Sequence, residues 1–175
     1  MDYSLPIAGV GFGPRRKGNH IQYVIVHHSA TPIKGRDYPA LWWASAFHRY
    51  TQRRYNAPCP YHLIIAPDGS VARGRYEKTP GRHASGFNRK SLGICLVGNF
   101  DIETPTKEQI ASLQVLILDI MAGFGIVADS ILGHFEANII TFGEPRKTCP
   151  GKNLNMSKLR QDIVTTQIMQ REGMV

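Results

Sequence analysis

Residues 21–31 read IQYVIVHHSAT. The run Ile21–Val26 is apolar and rich in β-branched side chains, which predicts a strand buried in the interior of a sheet. It stops at His27-His28-Ser29, so two imidazoles stand at the end of a core strand. Polar rings at that point need an explanation, and they mark the first candidate for chemistry.

Working outward, Tyr38–Arg54 (YPALWWASAFHRYTQRR) is aromatic and alanine-containing, with basic residues gathered at its end. That pattern predicts a helix whose C-terminal charges suit the macrodipole and whose tryptophan pair lies in the core. Tyr61–Arg75 (YHLIIAPDGSVARGR) places two strand-like runs around Pro67-Asp68-Gly69, a hairpin in which proline presets φ and glycine takes the left-handed position. Ser91–Phe100 (SLGICLVGNF) predicts another buried strand. Thr104 as N-cap, Pro105 at the first helical position and Ile110, Leu113, Ile117 and Ile120 at helical spacing predict a helix ending at Gly123 and Gly125. Ile131–Gly133 is a short strand candidate leading straight into His134, and Ser157–Gln170 a C-terminal helix. Strands interleaved with helices, plus one hairpin, define an α/β fold class with a single domain and a mixed sheet. Residues 1–20, rich in glycine, proline and basic side chains without periodicity, are expected to be an irregular arm before the domain.

The chain has 175 residues, 42% of them hydrophobic and 19% charged, which fits one globular domain and excludes a disordered chain. Lys plus Arg is 21 and Asp plus Glu 13, a net charge of +8 that favours an anionic partner. Nucleic acid, anionic lipid and bacterial cell wall all carry that charge, so the balance alone selects none. No apolar run approaches the roughly 18 residues of a membrane span. The basic cluster Arg15-Arg16-Lys17 follows a weak apolar patch, the reverse of a secretory signal, so the expectation is a cytosolic location. Cys59, Cys95 and Cys149 cannot form a complete set of disulfides and contain no CxxC pair. Any metal site must therefore be assembled from distant segments.

A catalytic zinc takes three protein ligands from His, Cys and Asp/Glu. The candidates are His27 or His28, His134 and Cys149, each at the end of an apolar segment. Spacing alone leaves open a set of half-buried histidines satisfied by carbonyls, beside a structural thiol. Glu77 and Glu136 are the neighbouring carboxylates in sequence, without the HExxH arrangement that would fix either as a base. Arg73, Arg75, Arg82, Arg89 and Lys90 could form a basic rim.

The blocks VIVHHSAT (24–31), YHLIIAPDGSVARGR (61–75), GRHASGFNRKSLGICLVGNF (81–100), TPTKEQIASLQ (104–114), GHFE (133–136) and KTCPG (147–151) stand in one order over most of residues 21–165. Together they resemble the zinc-dependent N-acetylmuramoyl-L-alanine amidases of type 2, a family that includes amidase-type bacteriophage lysozymes and animal peptidoglycan recognition proteins. The resemblance implies a central mixed sheet flanked by helices over residues 21–175 and one zinc ion per chain. His27, His134 and Cys149 match its ligands, while His28 falls at a neighbouring position with an orienting or rim role. Tyr61 matches the tyrosine that faces the nucleophile, and Lys147 the lysine that stabilises the oxyanion. His83 lies in a block beside the substrate groove, which implies a contact with glycan or stem peptide. The link FEANIITFGEPRKT between His134 and Cys149 is longer than in the best-known relatives and is expected to be an inserted loop.

These matches imply a monomeric hydrolase that cuts the bond between N-acetylmuramic acid and the L-alanine of the stem peptide. Its partner is peptidoglycan rather than nucleic acid. A phage endolysin waiting in the host cytoplasm until the membrane is permeabilised fits the missing signal peptide. Two alternatives stand beside it: a module that recognises peptidoglycan without cutting it, and an amidase that also regulates RNA polymerase.

Overall fold

The computed structural model describes Ile7, Ala8 and residues 21–174. In chain order the strands are β1 (Ile7–Ala8), β2 (Tyr23–His28), β3 (Leu63–Ile65), β4 (Val71–Arg73), β5 (Ser91–Leu96) and β6 (Ile131–Gly133). The helices are α1 (Ala40–Tyr55), α2 (Lys107–Phe124), α3 (His134–Phe142) and α4 (Met156–Arg171), with a 3-10 turn at Ala128–Ser130. The strands form one sheet in the order β1-β4-β3-β5-β2-β6, in which only the β3–β4 hairpin is antiparallel. The mixed α/β class is as expected. Within the N-terminal arm, Ile7–Ala8 pair in parallel with Val71–Ala72 of β4, a strand that the Gly- and Pro-rich composition did not announce. The rest of residues 1–20 lies outside the described residues.

Strand periodicity divides the interior into two halves, because successive side chains point to opposite faces. Val24 and Val26 of β2, Leu63 and Ile65 of β3, and Leu92, Ile94 and Leu96 of β5 pack with Leu113, Leu116, Ile117 and Ile120 of α2 and with Leu159 and Ile163 of α4. On the other face, Ile64, Ala66 and Ala72 meet Ala40, Trp43 and Ala44 of α1. Beside them Ile25 packs with Ala84, Phe87, Leu132 and Ala137, under the 81–90 loop and α3. Trp43 is core as expected, but Trp42 is 40% exposed and stacks on Tyr38 at 4.1 Å. The two indoles are adjacent on the helix, about 100° apart, so one buries and its neighbour cannot.

The hairpin turns where expected: Gly69 has φ +80° and donates to the Ala66 carbonyl at 2.9 Å, while Asp68 accepts from the Ser70 N–H. α2 is capped by Thr106 rather than Thr104. Thr106 Oγ1 accepts from the Gln109 N–H and Gln109 Oε1 accepts from the Thr106 N–H, at 3.0 and 3.1 Å. This reciprocal box needs a Glu or Gln three residues on, and the residue three beyond Thr104 is Lys107, which has no acceptor. The largest departure is the link after His134, where His134–Phe142 form α3 instead of a loop. Among the described residues no helix is long and apolar enough to cross a membrane.

Candidate metal centre and cleft

The carboxyl ends of β2 and β6 deliver the first two candidate ligands, in keeping with the tendency of α/β sheets to place sites beyond strand C-termini. His27 shares the alternation of Ile25 and turns to the α1/α3 face. His28 follows Val26 to the opposite face, where its Nδ1 accepts the Phe100 N–H at 3.1 Å. The pleat thus chooses between two adjacent histidines, and His28 is a buried structural acceptor.

His134 opens α3 one residue after β6. Glu136 reaches back to accept the Gly133 N–H at 2.7 Å and is clamped by Arg160 through two bonds of 2.9 and 3.0 Å. Arg160 also donates to the Ile131 carbonyl. Cys149 arrives on the 147–152 segment, which is tied down at both flanks. The Phe135 N–H donates to the Cys149 carbonyl, the Thr148 hydroxyl to Asp101 Oδ2 and the Lys152 N–H to Asp101 Oδ1, at 2.8, 2.7 and 3.1 Å. A Cβ on Gly133 would lie 2.9 Å from Pro150 Cδ, so glycine is what lets the cysteine loop close against β6.

One donor atom each from His27, His134 and Cys149 lies within 4.8 Å of the others. His27 Nδ1 is 3.6 Å from Cys149 Sγ, and the His27 and His134 rings are 4.6 Å apart. Burial holds the His27 imidazole well below the usual histidine range, helped by the neighbouring His83 and His134. Burial and the charge of Lys147 push His134 down to about 4. Both rings are therefore neutral at pH 7 with a lone pair to offer. Burial pushes the Cys149 thiol up to about 12, a cost that a bound cation would reverse. Two neutral imidazoles and one thiol facing one another form a donor set that could hold a metal ion.

The cluster opens into a cleft of about 970 Å³ that His83, Tyr61 and Lys147 also line. The Tyr61 ring lies 5.2 Å from His27, and burial raises its phenol well above the usual range, so the hydroxyl stays protonated. Lys147 is exposed and close enough for its charge to act on all three ligand side chains. His83 is only 8% exposed, and its Nδ1 lies 3.0 Å from His27 Nε2. Phe47, Tyr50 and Tyr55 of α1 add an aromatic wall that sequence reading missed. The signal was available, since Phe47, Thr51 and Tyr55 recur at i, i+4 and i+8 along one side of the helix.

Neither neighbouring carboxylate joins the cleft. Glu136 is held by Arg160, and Glu77 pairs with Arg73 at 3.1 Å. The expected basic rim is also dispersed. Arg75 is buried and donates to the carbonyls of Cys59, Pro58 and Pro80, and Lys90 lies over the Tyr23 and Phe87 rings. Arg82 is the member that lines the cleft. Cys95 and Cys59 are fully buried.

The fold and site define an α/β domain with a His-His-Cys cluster, able to hold a metal ion, at the carboxyl edge of its sheet. Residues 17–152 match the family described as N-acetylmuramoyl-L-alanine amidase, and the chain belongs to that family. Peptidoglycan-recognition protein SC2 of Drosophila melanogaster is 31% identical over 140 residues, 78% of this chain and 71% of its own. The endolysin of Enterobacteria phage T3 is 41% identical over 112 residues, 61% of this chain and 68% of its own. Among solved structures, the N-acetylmuramoyl-L-alanine amidase LysC from Clostridium intestinale superposes with a TM-score of 0.70 at 24% identity, covering 90% of this chain and 94% of that one.

Proposed function

We propose that the chain is a zinc-dependent amidase that hydrolyses the bond between the lactyl group of N-acetylmuramic acid and the L-alanine of the stem peptide, and that it acts as an endolysin. The observation that carries this reading is the convergence of His27, His134 and Cys149 in one cleft with Tyr61 and Lys147 beside them. The donor set fits zinc. Bonds of about 2.05 Å to nitrogen and 2.3 Å to sulfur at a tetrahedral angle separate N and S by about 3.6 Å. His27 Nδ1 and Cys149 Sγ are 3.6 Å apart.

When bound, zinc supplies a Lewis acid that polarises the amide carbonyl and activates water at neutral pH. The chain's own groups do the rest. Lys147 brings a positive charge to the edge of the ligand cluster, where negative charge develops on the carbonyl oxygen as the amide is attacked. Tyr61, held protonated, offers a hydrogen-bond donor to the attacking oxygen or the tetrahedral centre. Phe47, Tyr50 and Tyr55 give flat apolar surface for sugar rings, and Arg82 a partner for a stem-peptide carboxylate. A module that only recognises cell wall needs none of the three ligands, so their assembly favours hydrolysis over bare recognition. The similarity to a phage endolysin supports a lytic role, exerted from the host cytoplasm once the membrane is permeabilised.

The test is incubation with purified peptidoglycan, scoring soluble stem peptide and new amino termini. Release with L-alanine termini, abolished by a chelator and by Cys149→Ala and restored by zinc for the native chain, is the expected result. Intact wall that nevertheless retains the protein would overturn hydrolysis in favour of recognition.

A further inference from the structure

His27 presents two nitrogens to two different neighbours. Nδ1 faces Cys149 Sγ at 3.6 Å, whereas Nε2 lies 3.0 Å from His83 Nδ1. Both rings are buried, at 1% and 8% exposure, and meet edge to face at 87° with centroids 5.0 Å apart. An imidazole that gives the Nδ1 lone pair to a cation carries its proton on Nε2. That proton points at His83.

His83 is itself held in place from several directions. Asn88 Oδ1 accepts the backbone N–H groups of both His83 and Ala84, at 2.8 and 3.0 Å. The ring occupies space that two glycines leave open: a Cβ on Gly93 would lie 2.7 Å from His83 Cγ, and one on Gly81 2.3 Å from His83 Cδ2. Behind it stands His62, ring centroids 5.6 Å away. His62 Nδ1 accepts the Gly93 N–H at 2.9 Å, which leaves its Nε2 proton to donate to the Thr79 carbonyl at 2.9 Å. The backbone therefore fixes the innermost of a file of three imidazoles that ends at the ligand cluster.

We infer that His83 is a positioning residue of the metal centre: its Nδ1 accepts the Nε2 proton of His27 and so sets the tautomer and ring orientation that aim His27 Nδ1 at the ion. This rests on the zinc reading of the cleft. It assigns His83 a task different from the contact with glycan or stem peptide that the sequence resemblance implies. A histidine ligand without an outer acceptor is free to rotate or to carry its proton on the coordinating nitrogen, and such partners typically contribute 10–100-fold to metal affinity.

The experiment measures zinc affinity without substrate, by competition with a chromogenic chelator, together with the visible absorption of the Co2+-substituted protein. His83→Leu keeps bulk and removes the acceptor, so its zinc Kd should rise about 10–100-fold with an altered Co2+ spectrum. His83→Asn places an amide oxygen near the Nδ1 position and should stay within about threefold of the native chain, with a native-like spectrum. If His83→Leu does not fold, His83→Gln, whose amide sits beyond the Nδ1 position, takes its place with the same expected loss. Native affinity and spectrum in the acceptor-less variant, or an Asn variant as weak as that variant, would overturn the assignment. A raised KM on cell wall with zinc affinity unchanged would return His83 to substrate contact. Failure of the native chain to bind zinc would instead overturn the metal centre itself, and this assignment with it.

Discussion

In the zinc reading proposed above, Cys149 is the ligand whose proton must leave. Its thiol is pushed up to about 12 by burial, whereas His27 and His134 are neutral at pH 7. Zinc binding at about pH 6, below the ionisation of a zinc-bound water near ~7, should therefore release about one proton per chain, from Cys149. Calorimetry in buffers of different ionisation enthalpy reads that number, and a value near zero would mean that the thiol does not ligate. Lys147 is a different kind of residue, exposed and close enough for its charge to act on the cluster. Lys147→Ala should lower kcat by about 10²–10³ while zinc content stays at the native level. Loss of zinc in that variant would show that the lysine holds the loop rather than the oxyanion. Spacing alone left His27 as one of two neighbours, because composition cannot say which face of the sheet a side chain takes, and it was the ordered motif blocks that singled out His27. The 3.0 Å pairing of His83 with His27 was not legible at all, since the residues are far apart in the chain.

At the scale of elements, the ligands depend on short, well-tied segments. Glu136 closes the start of α3 by accepting the Gly133 N–H and joins it to α4 through Arg160. Glu136→Ala would leave a guanidinium without its carboxylate and a helix start without its acceptor, costing about 1–3 kcal/mol in urea unfolding. The same variant should weaken zinc binding, because His134 is the first residue of that helix. Unchanged stability and affinity together would mean that packing of α3 alone positions His134. The apolar runs of β2 and β5 and the heptad-like spacing of α2 announced those elements, and the Pro67-Asp68-Gly69 turn announced the hairpin. α3 did not announce itself, because its surroundings rather than its own periodicity make it a helix: Ile139 and Ile140 are 42% and 63% exposed while Ala137 and Asn138 are buried. The capping of α2 at Thr106 was readable in principle from the Gln three residues on.

Over the whole molecule, burial of His27 and His134 couples folding to pH. The unfolded chain protonates histidine near 6.5, whereas folded His134 does so at about 4 and His27 well below its usual range. Between those values the unfolded state binds more protons, so stability of the metal-free protein is full above about pH 6.5 and falls as pH drops towards 4. His134, part exposed and partly screened, should account for on the order of 2 kcal/mol of that fall. Urea unfolding of metal-free protein from pH 4 to 8 measures it, and a flat profile would show that the histidines titrate normally. Bound zinc should also raise the melting temperature, since it binds the folded state.

The sequence by itself determined the class of fold, the strands β2 to β6, the helices α1, α2 and α4, and the family. Hydrophobic periodicity and turn residues are local signals, and ordered motif blocks survive without coordinates. Only the tertiary structure decided that His28 accepts the Phe100 N–H, that Trp42 stays outside, that Glu77 and Glu136 are engaged elsewhere, and that His83 backs His27. Each of those outcomes depends on which face of a sheet or helix is covered and on contacts between distant segments, and a linear pattern of residues does not encode either.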